Sequence, residues 1–427
     1  MARDHVAPAV ATAVADAHRR EWAFVLAATA RVTRDLDLAE ECVQDAYAKA
    51  LTAWSERGIP RRPGAWLTTT ARNRALDELR RNAALRRSLP QLLDRSSDPE
   101  PEPEAAADTD AAEEFPDDRL RLIFTCCHPA LAQEAKIALT LRLLCGLTTA
   151  EVARAFLVGE SAMAARITRA KKKIAAARIP YRVPPADELP ARIDAVLTVV
   201  HLLFTTGHTA PTGDALIRRD LVERALDLAR MLRTLLPEDP DVAGLLALIL
   251  LTDARRETRS TDDGRLLILA DQDRTRWDRA AIDEGITLVR EALRHRPPGR
   301  FTLMAAIAAV HAEAPTWQDT DWREVVALYD VLVQIWPSPV VALNRAVAVG
   351  FADGPAAGLA ALDALAAEPQ LASYGYLAAA RADLLRRLGR TAQARAAYEE
   401  ALLLTENTVE RNFLEDRLRQ LDRGGNP

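Results

Sequence analysis

The chain has 427 residues, of which 49% are hydrophobic and 5% aromatic, with 17 glycines, four cysteines and a net charge of −5. That length predicts two to four domains with true cores, and abundant alanine and leucine with scarce glycine predict an all-α protein. No run of about 18 apolar residues could span a membrane, MARDHVAPAV lacks the apolar centre of a signal peptide, and the cysteines make no disulfide framework, so a soluble cytoplasmic protein is expected.

The modest net charge hides an asymmetry. Residues 1–97 carry +4, residues 98–118 carry −10 with no basic residue, residues 119–182 carry +9, and residues 183–427 carry −8. Two basic blocks joined by an acidic connector predict nucleic-acid contact confined to residues 1–182.

In chain order, the first informative segment is EECVQDAYAKAL, Glu40 to Leu51. Its Val43, Ala46, Tyr47 and Ala50 share one helical face, while Glu40, Glu41, Gln44 and Asp45 gather near its start, where acids suit the helix dipole and could meet a basic protein surface. After an Arg61-Arg62-Pro63-Gly64 turn comes WLTTTARNRALDELRR. There Trp66, Thr70, Asn73, Asp77 and Arg80 form one stripe, and Leu67, Ala71, Ala75 and Leu79 another. An aromatic ring in line with amide and guanidinium groups suits unpaired bases, by stacking and edge hydrogen bonds. A core tryptophan among solvated arginines is the plainer alternative. The connector DPEPEPEAAADTDAAEEFPDD, with alternating proline and glutamate, predicts an extended, self-repelling linker.

Leu147 to Ile174, LTTAEVARAFLVGESAMAARITRAKKKI, reads as a helix-turn-helix. Thr148 and Glu151 form a capping box, Val152, Ala153 and Phe156 give the first helix an apolar face, and Gly159 is expected to supply the freedom for a tight turn. Met163, Ile167, Ala170 and Ile174 then mark the buried stripe of a second helix whose other faces carry Arg166, Arg169, Lys171, Lys172 and Lys173. Such a helix suits the major groove, with phosphate contacts from its cations; a solvated basic hairpin is the bland alternative.

Taken together, these segments resemble a bacterial RNA polymerase sigma factor of the extracytoplasmic-function (ECF) class. DLAEECVQDAYAKAL is similar to that family's polymerase-binding helix, PGAWLTTTARNRALDELRR to its promoter −10 segment, and Leu147 to Ile174 to its −35 helix-turn-helix, in the family's order and spacing. The resemblance implies core RNA polymerase and promoter DNA as partners and no enzymatic activity. It assigns polymerase binding to Glu41, Gln44 and Asp45, −10 contact to Trp66, Arg72, Asn73, Arg74, Arg80 and Arg81, and −35 contact to Ser161, Ala162, Ala165, Arg166, Arg169, Lys172 and Lys173. The connector would thread towards the basic RNA-exit path of the polymerase. One departure stands out. Residues 161–166, SAMAAR, are poor in base-reading side chains, so readout at −35 would rest on methyl contacts, Arg166 and DNA shape.

The expected domains are sigma region 2 over 10–97, an acidic linker over 98–118, sigma region 4 over 119–182, and a helical extension over 186–422. In the extension a tetratricopeptide-like spacing of small or apolar residues, followed by proline, occurs at Ala225, Ala229, Leu232 and Pro237. It recurs at Gly285, Val289, Ala292 and Pro297, and at Val325, Tyr329, Leu332 and Pro337. A last copy, Ala394, Tyr398 and Ala401, ends in Glu406 and follows Gly389. Stacked helical hairpins of a superhelix are expected, with Arg255 to Trp277 as an inserted loop or short hairpin. HLLFTTGHTA, DQDRTRW and NRAVAVGFADGPAAGL resemble the extension motifs of an ECF subgroup in which the extension is thought to regulate the sigma factor through an unknown ligand or protein.

Two site readings are set aside. Cys126-Cys127-His128 with Cys145 lacks metal-ligand spacing, and His201, His208 and the acids around Asp271 lack any nucleophile or phosphate-loop motif. No catalytic residue, metal or cofactor is expected. The rival functions are a helix-turn-helix transcription factor, or a repeat scaffold, that never recruits polymerase.

Overall fold

The computed structural model describes residues 3–93, 118–156, 158–185, 187–261 and 263–424; the expected acidic linker lies outside them, except for Asp118. The all-α expectation is met: the described elements are helices, apart from one pair of two-residue strands. The chain divides into two compact units, Met1–Val199 and Val200–Pro427.

In the first unit α1 (Arg3–Thr33), α2 (Leu36–Arg57) and α3 (Pro63–Leu93) pack on one another. The Asp35 carboxylate starts α2 by accepting from the backbone N–H groups of Asp37 and Leu38 at 2.8 and 3.1 Å. The face read from sequence, Val43, Ala46, Tyr47 and Ala50, is buried, as are Leu67, Ala71 and Ala75 of α3. Next come α4 (Asp118–Cys126), α5 (Gln133–Leu139) continued by a π-turn (Thr140–Leu144), α6 (Thr149–Ala155) and α7 (Glu160–Ala176). The unit also takes in much of α8 (Leu189–His208): Ile193, Val196 and Leu197 are buried, and Arg192 Nη2 donates to the Phe124 carbonyl at 2.6 Å. The expected end of sigma region 4 at residue 182 therefore falls inside this unit.

The second unit continues through α9 (Arg219–Leu235), α10 (Pro240–Asp253), α11 (Arg279–Ala292), α12 (Arg300–Glu313), α13 (Trp322–Ile335), α14 (Pro339–Ala352), α15 (Pro355–Asp363), α16 (Gly375–Arg387), α17 (Thr391–Leu404) and α18 (Thr408–Gly424). Alternate helices stack: α10 packs on α11 and α12, α14 on α13 and α15, and α16 on α15 and α17. The periodic residues read from sequence are buried in α9, α11, α13 and α17, with Tyr329 half-buried. The periodicity missed α15, which is only nine residues long. Its junction explains NRAVAVGFADGPAAGL: Gly354 turns at φ +97°, and a Cβ on Gly358 would lie 2.6 Å from Gly350 Cα, so α14 and α15 meet backbone to backbone.

Between α10 and α11, Arg255 to Trp277 forms three 3₁₀ turns and an antiparallel bridge between Ser260 and Leu266. The two ends of the helical array are tied. Thr212–Gly213 pairs in parallel with Glu406–Asn407, and the buried Asn407 amide donates to the carbonyls of Ala210 and Ala215, both at 3.0 Å. Stacked hairpins alone would leave those ends apart.

His201, on α8, meets Phe301 edge-on at 5.5 Å, and burial together with Arg300 pushes its pKa down to about 4. The folded imidazole stays neutral where the unfolded one would take a proton. Its contribution to stability is therefore complete above pH 6.5 and falls as pH drops towards 4, by up to about 1.4 kcal/mol per pH unit. Thermal unfolding of the full chain should show stability falling over this window, and His201→Gln should reduce the dependence by its own share, leaving that of His311, whose pKa burial also pushes down to about 4.

Candidate nucleic-acid interface

The acidic start of α2 divides by depth. Glu41 and Gln44 are exposed and Asp45 half-exposed, while Glu40 is buried. Asp45 accepts from Arg74 Nε at 2.9 Å, and Arg74 also pairs with Glu78, so this arginine fastens α3 to α2. Arg72, Asn73, Arg80 and Arg81 are exposed along α3. Trp66 is half-buried, edge-on to the buried Trp54 at 5.7 Å. It borders an open groove of about 650 Å³ lined also by Asp45, Lys49, Thr52 and Arg74.

The helix-turn-helix assembles from its capping box. The Thr148 N–H donates to Glu151 Oε2 at 2.7 Å, and the Glu151 N–H to Thr148 Oγ1 at 3.2 Å. Met163, Ile167, Ala170 and Ile174 are buried, and Phe156 is half-buried. Gly159 departs from expectation: its φ is −64° and nothing lies within 4 Å of an added Cβ, so the turn does not require glycine there. The position that does is Gly146, at φ +68°, where a Cβ would come within 3.0 Å of the Trp22 ring.

On the outer face of α7, Ser161, Ala162, Ala165, Arg169, Lys172 and Lys173 are exposed. Arg166 is half-buried, pairs with Glu134 at 3.2 Å and lies 5.7 Å from the Phe156 ring centre. Lys171 points the other way. It meets Asp37 at 2.7 Å and the buried Glu40, which Arg142 also engages. Trp22 Nε1 donates to the Leu143 carbonyl at 3.1 Å, and the Tyr181 hydroxyl to the Ala27 carbonyl at 2.9 Å. The helix-turn-helix block is thus docked on α1 and α2.

Sequence reading missed this junction. A signal was present, since Lys171 lies four residues after Ile167 and three before Ile174, on the border of the buried stripe, but the Lys171-Lys172-Lys173 run disguised it. The cysteines set aside as ligands are buried: Cys126 and Cys127 belong to this interior, and burial pushes the Cys127 thiol up to about 11, which suppresses the reactive thiolate.

An acidic patch at the start of α2, a groove beside Trp66 and a helix-turn-helix are the features on which the comparisons bear. The model for Sigma-70 region 2 matches residues 18–85, that for Sigma-70, region 4 matches residues 121–174, and a family of unknown function (DUF6596) matches residues 192–293. The chain is 42% identical over 396 residues to an uncharacterized protein of Rhizobium meliloti (strain 1021), covering 93% of each. Residues 18–85 and 121–174 are thus sigma-70 regions 2 and 4, and these regions imply binding to core RNA polymerase and promoter DNA.

Removing one partner from a buried ion cluster leaves its mates charged and dry, at a cost of about 3–5 kcal/mol. Glu40→Ala should therefore free α7 from α2 in the full chain. Hydrogen exchange is expected to quicken across α7 and the Gly146 turn; exchange unchanged from wild type would show that the cluster does not hold them.

Proposed function

We propose that the chain is an ECF-class sigma factor that works in the cytoplasm and is regulated by a tetratricopeptide-like extension. The observation that supports this reading is two exposed basic faces, on α3 and α7, together with exposed Glu41 and Gln44 on α2 and Asp45 half-exposed beside them. That patch docks on core polymerase. Trp66 and its groove receive an unpaired base of the −10 element, with Asn73, Arg72, Arg80 and Arg81 along the strand and Arg74 holding the groove's wall.

At −35 the exposed Ser161, Ala162 and Ala165 meet the groove floor, while Arg169, Lys172 and Lys173 take phosphates and Arg166 leaves Glu134 to reach the duplex. With so few base-reading side chains, affinity at −35 is dominated by phosphate contacts.

The docked arrangement of α7 on α2 is the resting state. Promoter −10 and −35 elements lie about 25 base pairs apart, roughly 85 Å of B-DNA, so a chain whose −35 reader is pinned to region 2 cannot engage both. Polymerase and promoter must separate them. The alternating small residues buried in α9, α11, α13 and α17 support the tetratricopeptide-like reading of the extension.

Reconstituted transcription with core polymerase tests the central role: the chain should initiate from its promoters, and duplex binding without initiation would refute it. Lys172→Ala and Lys173→Ala should each lower the salt slope of promoter binding by about one, with little change in sequence preference. Truncation after His208, which keeps α8 whole, should change promoter activity; equal activity at equal protein level would refute regulation by the extension.

A further inference from the structure

In the second unit, cationic side chains gather between the Arg255–Trp277 insert, the ends of α8 and α12, and helices α16 and α18. Arg255 and Arg259 leave the first 3₁₀ turn and Arg274 the last, close enough to influence one another. Arg259 donates to the His208 carbonyl and to Thr209 Oγ1, the latter at 2.9 Å. Arg274 Nη1 donates to the carbonyls of His311 and Ala314, both at 2.6 Å, and its guanidinium stands 4.7 Å from the Trp277 ring centre. Neutral carbonyls orient these guanidinium groups without cancelling their charge.

The usual counter-charges are engaged elsewhere. Asp253 holds Arg256 and Glu257 holds Arg219, at 2.7 and 2.8 Å. Asp319, the acid nearest in effect to Arg274, accepts from Thr316 at 2.7 Å. Glu410 accepts the Tyr376 hydroxyl, and burial raises its pKa. Among the described residues Arg255, Arg259 and Arg274 make no ion pair, and Arg255 donates no hydrogen bond. Arg274 Nη2, both ring nitrogens of His208 and His311 Nδ1 are buried without a partner.

Arg255 is half-buried and keeps some surface open to solvent, with Arg259 and Arg274 as its charged neighbours. Burial presses its pKa down to about 9, and burial with the neighbouring arginines keeps His208 and His311 neutral. Two neutral imidazoles offer N–H donors, and two planar guanidinium groups offer the fork geometry that fits an oxyanion.

We propose that this cluster is a binding site for the oxyanion group, phosphoryl or carboxylate, of a small molecule, held by Arg255 and Arg274 with donors from His208 and His311. HLLFTTGHTA and DQDRTRW, which lie far apart in sequence, supply His208 and Arg274 to it. Arg259, which faces Tyr376 and Glu410, places the site beside the junction where Asn407 ties the ends of the array. A bound anion would brace that junction. The site stands independently of the sigma-factor reading, because binding is the readout.

Calorimetric titration of the full chain with inorganic phosphate, and separately with citrate, tests the proposal, with sodium chloride at matched ionic strength as the control. Saturable binding of either anion is expected, together with a raised unfolding temperature. Phosphate binding alone would assign a phosphoryl ligand, and citrate binding alone a carboxylate. Arg255→Met removes an unpaired cation, so it should fold as well as wild type and bind at least about tenfold more weakly. Arg255→Gln carries the same expectation, and Arg255→Lys should restore part of the affinity. No saturable binding beyond chloride, or binding unchanged in both Arg255→Met and Arg255→Gln, would overturn the assignment.

Discussion

The Glu40 carboxylate is the constraint on which the first unit depends. Buried beneath the surface of α2, it must be neutralised, and Lys171 from α7 and Arg142 from the π-turn do so. Buried ion clusters add little net stability compared with apolar packing, yet they enforce one arrangement, because any other leaves charge unpaired in a dry setting. Trp22 completes the junction by filling the space that Gly146 leaves and by donating to the Leu143 carbonyl. One lysine of a basic run is thus committed to holding region 4 against region 2, while its neighbours stay available for DNA.

In the proposed reading, recruitment and the closed arrangement share one helix, α2. Glu41 and Gln44, on the exposed side of α2, flank the residue that holds α7. In the proposed reading, a polymerase surface docking on that patch would meet the helix whose buried carboxylate pairs with Lys171 of α7. Opening requires solvating or re-pairing Glu40, Lys171 and Arg142, a cost of several kcal/mol that binding to polymerase and promoter phosphates can offset.

Much of this was legible in sequence because it follows from short-range rules. The capping box at Thr148 and Glu151, the 163/167/170/174 stripe and the buried face of α2 depend on helical periodicity and local hydrogen bonds, and the structure has them as read. Other features were not. The role given to Gly159 failed because a turn can be made with ordinary backbone angles, and the glycine that matters, Gly146, is fixed by contact with Trp22 far away in sequence. Lys171 and Arg74 looked like free cations, since no local pattern announces Glu40 or Asp45 as their partners. In the second unit the repeat spacing located four helices but not α15, and the strand pair joining residues 212–213 to 406–407 has no local signature. The acids around Asp271 attracted notice in sequence, whereas the folded chain leaves Asp271 and Asp273 exposed and buries Gln272 between them and Arg274 after them.

The most direct measurement of the central claim is the distance between spin labels on α2 at Leu38 and on α7 at Thr168, either side of the Lys171 junction, in the free chain and in complex with core polymerase and promoter DNA. A short distance in the free chain, lengthening by several tens of ångströms in the complex, is the predicted result. A distance that stays short while transcription initiates would contradict the closed resting state.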